Sequence, residues 1–149
     1  MLRVLTLNIW NLSGDWRARR EAIVAFVNQQ RDASAAVGPV IAGDFNAEPD
    51  STAVRYLTGL TSLGGGSTYF QDAWRLAGDA GPGLTWSSAN AHAALEHEPD
   101  RRIDYIFVRG PDPTGRGEPL DAHVCFDRPQ NGVYASDHFG VSATIRVEV

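Results

Sequence analysis

The sequence predicts a mixed α/β domain, on three observations. Short runs rich in β-formers end abruptly in polar residues, at Leu2–Leu7, Val40–Ala42 and Arg101–Val108, and a fourth runs from Val141 to Val149. Between the first two runs, Ala22, Ile23, Phe26 and Val27 recur at the spacing of a helix face. The chain has 149 residues of which 43% are hydrophobic, enough for one domain around one core.

The first strand is expected over Leu2 to Leu7 and closes on Asn8. Ile9 to Gly14 reads as a loop. Asp15 is placed to cap a helix from about Trp16 to Arg31. Asp32 to Gly38 leads into a second strand, Val40-Ile41-Ala42, which turns polar at Gly43, Asp44 and Asn46. Residues two apart on a strand share a face, so Asp44 and Asn46 are expected to project together while Phe45 packs the other way. Asp50 or Ser51 caps a second helix running to about Leu60, with Pro49 favouring the helix entry. Gly64-Gly65-Gly66 reads as a turn, because no Lys-Ser/Thr follows to make a phosphate cradle.

Tyr69 to Leu76 is expected as a short helix, Pro82-Gly83 as a turn and Leu84 to Trp86 as a short strand. Ala89 to Asp100 is polar and irregular. His92, Glu96, His97 and Glu98 lie within it, but their spacing matches neither a His-Glu-x-x-His helix nor a zinc knuckle, and a solvated loop is the reading. On the strand Arg101 to Val108, Arg102, Asp104 and Ile106 share one face, with Ile103, Tyr105 and Phe107 on the other. Pro111 to Pro119 is an exposed loop. Ala122 to Phe126 is a strand in which Cys125, the one cysteine, fills a small buried position. Ala135 to Gly140 is a polar turn feeding the last strand.

Four strand ends therefore carry Asn8, Asp44 with Asn46, Asp104, and Asp137-His138, and no serine or cysteine nucleophile accompanies them. Ser136, Asp137 and His138 cannot form a serine-hydrolase relay, because successive residues cannot line up nucleophile, base and orienter. The motifs Leu7-Asn8, Gly43-Asp44-Phe45-Asn46, Arg102-Ile103-Asp104-Tyr105-Ile106 and Ser136-Asp137-His138, in this order, resemble the endonuclease/exonuclease/phosphatase family of DNase I-like metal-dependent phosphoesterases. The resemblance implies a two-sheet α/β sandwich with outer helices, here in truncated form. It implies water attack on a phosphoester, with Asp44 as general base and Asn46 orienting water or a phosphate oxygen. It implies that His138 donates to a phosphoryl oxygen while Asp104 holds the imidazole. Asn8 and Asp137 are then ligands for Mg²⁺ or Mn²⁺, and Arg102 contacts substrate phosphate.

One departure stands beside the match. Members of the family carry a Gln-Glu pair at a second strand, and that Glu is the principal metal ligand. Gln29, Gln30, Gln71 and Gln130 are the glutamines of this chain, and none precedes Glu. The family's middle portion is missing, so weak metal affinity is expected, and residues 1–149 are read as one shortened domain. Glu21 and Glu48 are the acids considered as replacements. The alternatives to a hydrolase are a catalytically dead remnant that retains a phosphate-binding cleft, or a self-associating interaction module. Apolar surface left by the missing part argues for a homodimer. A net charge of −5 disfavours a binder of duplex DNA by non-specific contacts. It leaves nucleic acid, sugar phosphate and phospholipid headgroup open as the phosphorylated substrate. The given chain shows no apolar stretch long enough to span a membrane and no signal peptide, so a soluble protein is expected, of open compartment.

Overall fold

The computed structural model describes residues 4–6, 38–129 and 131–147. Asn8, Glu21 and the expected helix from Trp16 to Arg31 lie outside them. Two sheets form the described domain. The first holds β1 (Val4–Thr6), β2 (Val40–Asp44), β3 (Gln71–Asp72) and β4 (Asp104–Val108), in the order β1-β2-β4-β3. β1 is parallel to β2, while β2 and β3 are both antiparallel to β4. The second sheet is the antiparallel pair β5 (Pro119–Cys125) and β6 (Gly140–Ile145).

The two-residue alternation of side chains divides the first sheet cleanly. Ile41, Tyr105 and Phe107 face one way and close a core with Phe45, Val54 and Phe70. Phe45 meets Tyr105 and Phe107 edge-on, at ring-centre separations of 5.5 and 5.1 Å. Helix α1 (Thr52–Leu57) covers this face through Val54, with Ala53 and Leu57 beside it. On the opposite face Val40, Ile106 and Val108 pack against Ile145 of β6. Ile106 also packs with Ala73 and Trp74 of helix α2 (Ala73–Ala77), Ala122 and Val124 of β5 and Ala143 of β6. The second sheet and α2 thus share the face that Ile106 presents, and the layers are those of a small α/β sandwich.

Several expected boundaries shift, each for a local reason. α1 is capped by the Ser51 hydroxyl, which accepts from Val54 N–H, and stops at Leu57 because Gly59 turns the chain at φ +75°. Tyr69 to Leu76 is not one helix. Gln71 and Asp72 pair with Val108 and Phe107, and the Asp72 carboxylate then caps α2. Leu84 to Trp86 makes only the bridge Trp86↔Arg101. The turn at Pro82-Gly83 needs its glycine: φ is +65°, and a Cβ there would lie 2.4 Å from the Trp74 indole. β5 begins at Pro119, earlier than Ala122, and β6 ends at Ile145. Cys125 is half-buried rather than buried, and partial burial with the nearby Asp127 charge pushes its thiol pKa up. Among the described residues, no helix is long and apolar enough to cross a membrane.

Candidate active site

The register of β2 against β4 makes the site. Asp44, the last residue of β2, stands directly opposite Asp104, the first of β4. Both project to the side that Ile106 presents to the second sheet. Like charges in direct cross-strand register repel, so this pair calls for a positive partner. His138 arrives from the segment just before β6. Its Nδ1 lies 2.8 Å from Asp104 Oδ2. An ionised carboxylate only accepts, so Nδ1 carries the proton and Nε2 is left for other work. Asp44, Asp104 and His138 each offer an atom within 4.8 Å of the other two, and among the described residues no other group of acids, histidines and cysteine does so. All three are half-buried.

A buried framework holds this triangle, and sequence reasoning missed it. Thr85 is fully buried, and its hydroxyl oxygen accepts from the backbone N–H of both Ile103 and Asp104, at 3.1 Å each. Its carbonyl accepts from Phe139 N–H at 2.7 Å. One residue therefore ties the start of β4 to the segment that carries His138. Asn90, also fully buried, donates through Nδ2 to the Ser136 carbonyl at 2.8 Å. Trp86 presents its indole edge-on to the His138 ring, centre to centre 4.9 Å. Asp100 steadies the loop beneath, accepting from Ser88 N–H and the Ser87 hydroxyl, and those bonds hold its carboxyl below the usual range. A buried Thr-Trp pair followed by an Asn is a faint signal, because Thr and Asn in loops usually satisfy only local backbone.

The other expected site residues fall differently. Asn46 does not continue the strand: its φ is +45°, it is exposed, and its backbone N–H donates to Asp44 Oδ1 at 2.7 Å. An Asx-type turn, which Asn tolerates, thus orients the Asp44 carboxylate. Asp137 is exposed and outside the triangle. Burial works against its charge, but the Ser136 hydroxyl, backbone N–H groups and His138 outweigh that and lower its pKa. Arg102 lies inside the fold. The side chain expected to meet substrate phosphate is 7% exposed, with Nη1 2.8 Å from Asp72 Oδ2 and the guanidinium 4.6 Å from the Tyr105 ring centre. Nη1 approaches Asp72 off the line of its N–H bonds, so the contact is an ion pair rather than a directed hydrogen bond. Each of these two buried charges is thus opposed by the other. The one Tyr105 hydroxyl proton is shared between the Ala47 and Arg102 carbonyls, at 2.7 and 2.8 Å, and burial pushes the Tyr105 pKa up. His92, Glu96, His97 and Glu98 are exposed, and Ala93–Glu96 winds into a single 3₁₀ turn where a loop was expected.

Comparison with known proteins places these features. A solved endonuclease/exonuclease/phosphatase family protein from Leptotrichia buccalis C-1013-b is similar at 20% identity and a TM-score of 0.53, over 83% of this chain and 40% of that one. A functionally unknown conserved protein from Enterococcus faecalis V583 is similar at 21% identity and a TM-score of 0.61, over 97% of this chain and 50% of that one. Likeness at such identities is likeness of fold, and the chain spans half the length of these relatives or less. No match is found among the curated proteins. The model of the Endonuclease/Exonuclease/phosphatase family matches residues 5–138, from the first strand through the Ser-Asp-His motif, and the chain belongs to that family.

Proposed function

We propose that the triangle hydrolyses a phosphoester, with Asp44 as general base and His138 as the donor that stabilises the transition state. The observation that carries this reading is the convergence of Asp44, Asp104 and His138 within 4.8 Å. Asp44 takes the proton of the attacking water, and the Asn46 N–H keeps its carboxylate aimed. His138, held at Nδ1 by Asp104, donates from Nε2 in its protonated form to a phosphoryl oxygen, where negative charge develops. Asp104 positions the ring and opposes its positive charge without touching substrate. The Asn46 amide is proposed to orient water or a phosphate oxygen.

The donor set fits a divalent cation in part. Asp44 and Asp104 offer hard oxygen atoms, but the Asp104–His138 bond already occupies one of them. Asp44 and Asp104, with Asn8 and Asp137 as proposed contributors, would hold Mg²⁺ or Mn²⁺. Such an ion supplies charge neutralisation for the phosphoryl oxygens.

Turnover of bis-p-nitrophenyl phosphate, measured with Mg²⁺ and with chelator, tests the proposal. Mg²⁺-dependent product release that Asp44→Asn removes is the expected result. Release that survives Asp44→Asn refutes it, as does a rate no higher than a protein-free blank.

A further inference from the structure

Residues that follow β5 and precede β6 line a groove of about 630 Å³, among them Phe126, Asp127, Arg128, Asn131, Val133 and Ala135. We infer that this groove is a subsite for the nucleoside part of a nucleotide phosphoester, with Phe126 as its stacking platform and Arg128 as a phosphate contact. The inference rests on the hydrolase reading for its reaction, but not for its binding.

Phe126 carries the argument. It is 63% exposed, and it adopts a φ of +57°, a left-handed conformation that is a rare outlier for a bulky side chain. Strain of that kind, with the ring in water, is retained where the surrounding structure and a function require it. One side of the ring is supported. A Cβ built on Gly140 would lie 3.1 Å from Phe126 Cδ2 and 2.9 Å from Cys125 Sγ, so the bare glycine lets the ring lie against β6. Gly140 pairs with Cys125 and is two residues from His138, so the platform adjoins the reacting end of the sheet. Val133, 67% exposed, adds a second apolar wall.

The lining favours a flat base over the other phosphoester classes. Base–aromatic stacking tolerates any base and needs one open ring face. Arg128 is exposed beside the ring and suits a phosphate oxygen. That same cation disfavours the quaternary ammonium of a choline headgroup, which an aromatic site would otherwise attract. Asp127 and Asn131 offer acceptors and donors for ribose hydroxyls or a base edge. A net charge of −5 suits a small nucleotide better than a long polyanion.

The test is calorimetric titration with adenosine 5′-monophosphate, glycerol phosphate and phosphocholine, on protein carrying Asp44→Asn so that no ligand is consumed. Phe126→Gly suits the left-handed backbone and removes only the ring, and Phe126→Trp restores a platform. The expected result is that the nucleotide binds tightest, that Phe126→Gly weakens it about five- to a hundred-fold, and that Phe126→Trp recovers it, with the other two ligands unaffected by either change. Arg128→Gln should weaken the nucleotide more than adenosine. Equal binding of the three ligands, or nucleotide affinity unchanged in Phe126→Gly, overturns the subsite. Binding with this pattern in a protein that never turns over substrate leaves the subsite standing and removes the hydrolase reading. Hydrolysis of a nucleotide ester unchanged by Phe126→Gly does the reverse.

Discussion

Replacing Thr85 by Val separates the framework of the site from its chemistry. Val keeps the branched shape of the side chain but has no hydroxyl. The N–H groups of Ile103 and Asp104 then lose the oxygen that both use at 3.1 Å. A buried donor left without a partner costs about 1–3 kcal/mol. Ile103 is buried and bears the full cost, whereas Asp104 is half-buried and water recovers part of it. The sum is roughly 2–4 kcal/mol, or a melting temperature lower by about 5–15 °C for a chain of this size. Urea unfolding, followed by tryptophan fluorescence and compared at equal m-values, reads the loss. Thr85→Ser keeps the acceptor and should lose less than half as much. A Val variant within about 0.5 kcal/mol of the parent, the scale of an ordinary surface change, would refute the bracket, and so would a Ser variant as unstable as the Val one.

Four further outcomes are expected. Asp44→Asn and His138→Ala should each lower kcat by about a hundred- to ten-thousand-fold with little change in KM, since each removes a group used in the transition state; a loss confined to KM would contradict their roles. Asp104→Asn should also lower kcat, because it removes the charge opposite the His138 ring, and equal activity in the variant would show that the 2.8 Å contact is not used. Arg102→Ala should destabilise the fold by about 3–5 kcal/mol, since it strands the 4%-exposed Asp72 without its counter-charge; a loss below 1 kcal/mol in urea unfolding would count against that. The Thr114 hydroxyl, followed by Arg116, holds the Asp112 carboxyl at about 2, below its ordinary value of 3.8. Its contribution is therefore complete above about 3.8 and lost as pH falls toward 2. Melting temperatures of the parent and Asp112→Asn should differ at pH 5 and converge near pH 2, and a constant difference would show that the charge contributes nothing.

Much of this molecule was legible because strands advertise themselves. Val40-Ile41-Ala42 followed by Gly43-Asp44, and Tyr105 to Val108 preceded by Asp104, state both a buried run and the end at which it becomes polar. The face assignment of Asp104 and Ile106 against Tyr105 and Phe107 followed from side-chain alternation alone, and the two cores divide along it. Local rules failed where a partner distant in sequence decided the outcome. Gln71 and Asp72 became strand only because Val108 and Phe107 were there to pair with them. Nothing local to Arg102, two residues from Asp104, marks Asp72 as the carboxylate that the fold brings to it. The sequence by itself determined the residue types and the polar ends of the strands, which are local properties. Only the tertiary structure decided that Asp44 faces Asp104, that Thr85 joins Asp104 to the His138 segment, and that Phe126 lies bare against Gly140. Register and loop docking depend on which distant groups satisfy each other's hydrogen bonds and charges, and that selection is made when the chain packs.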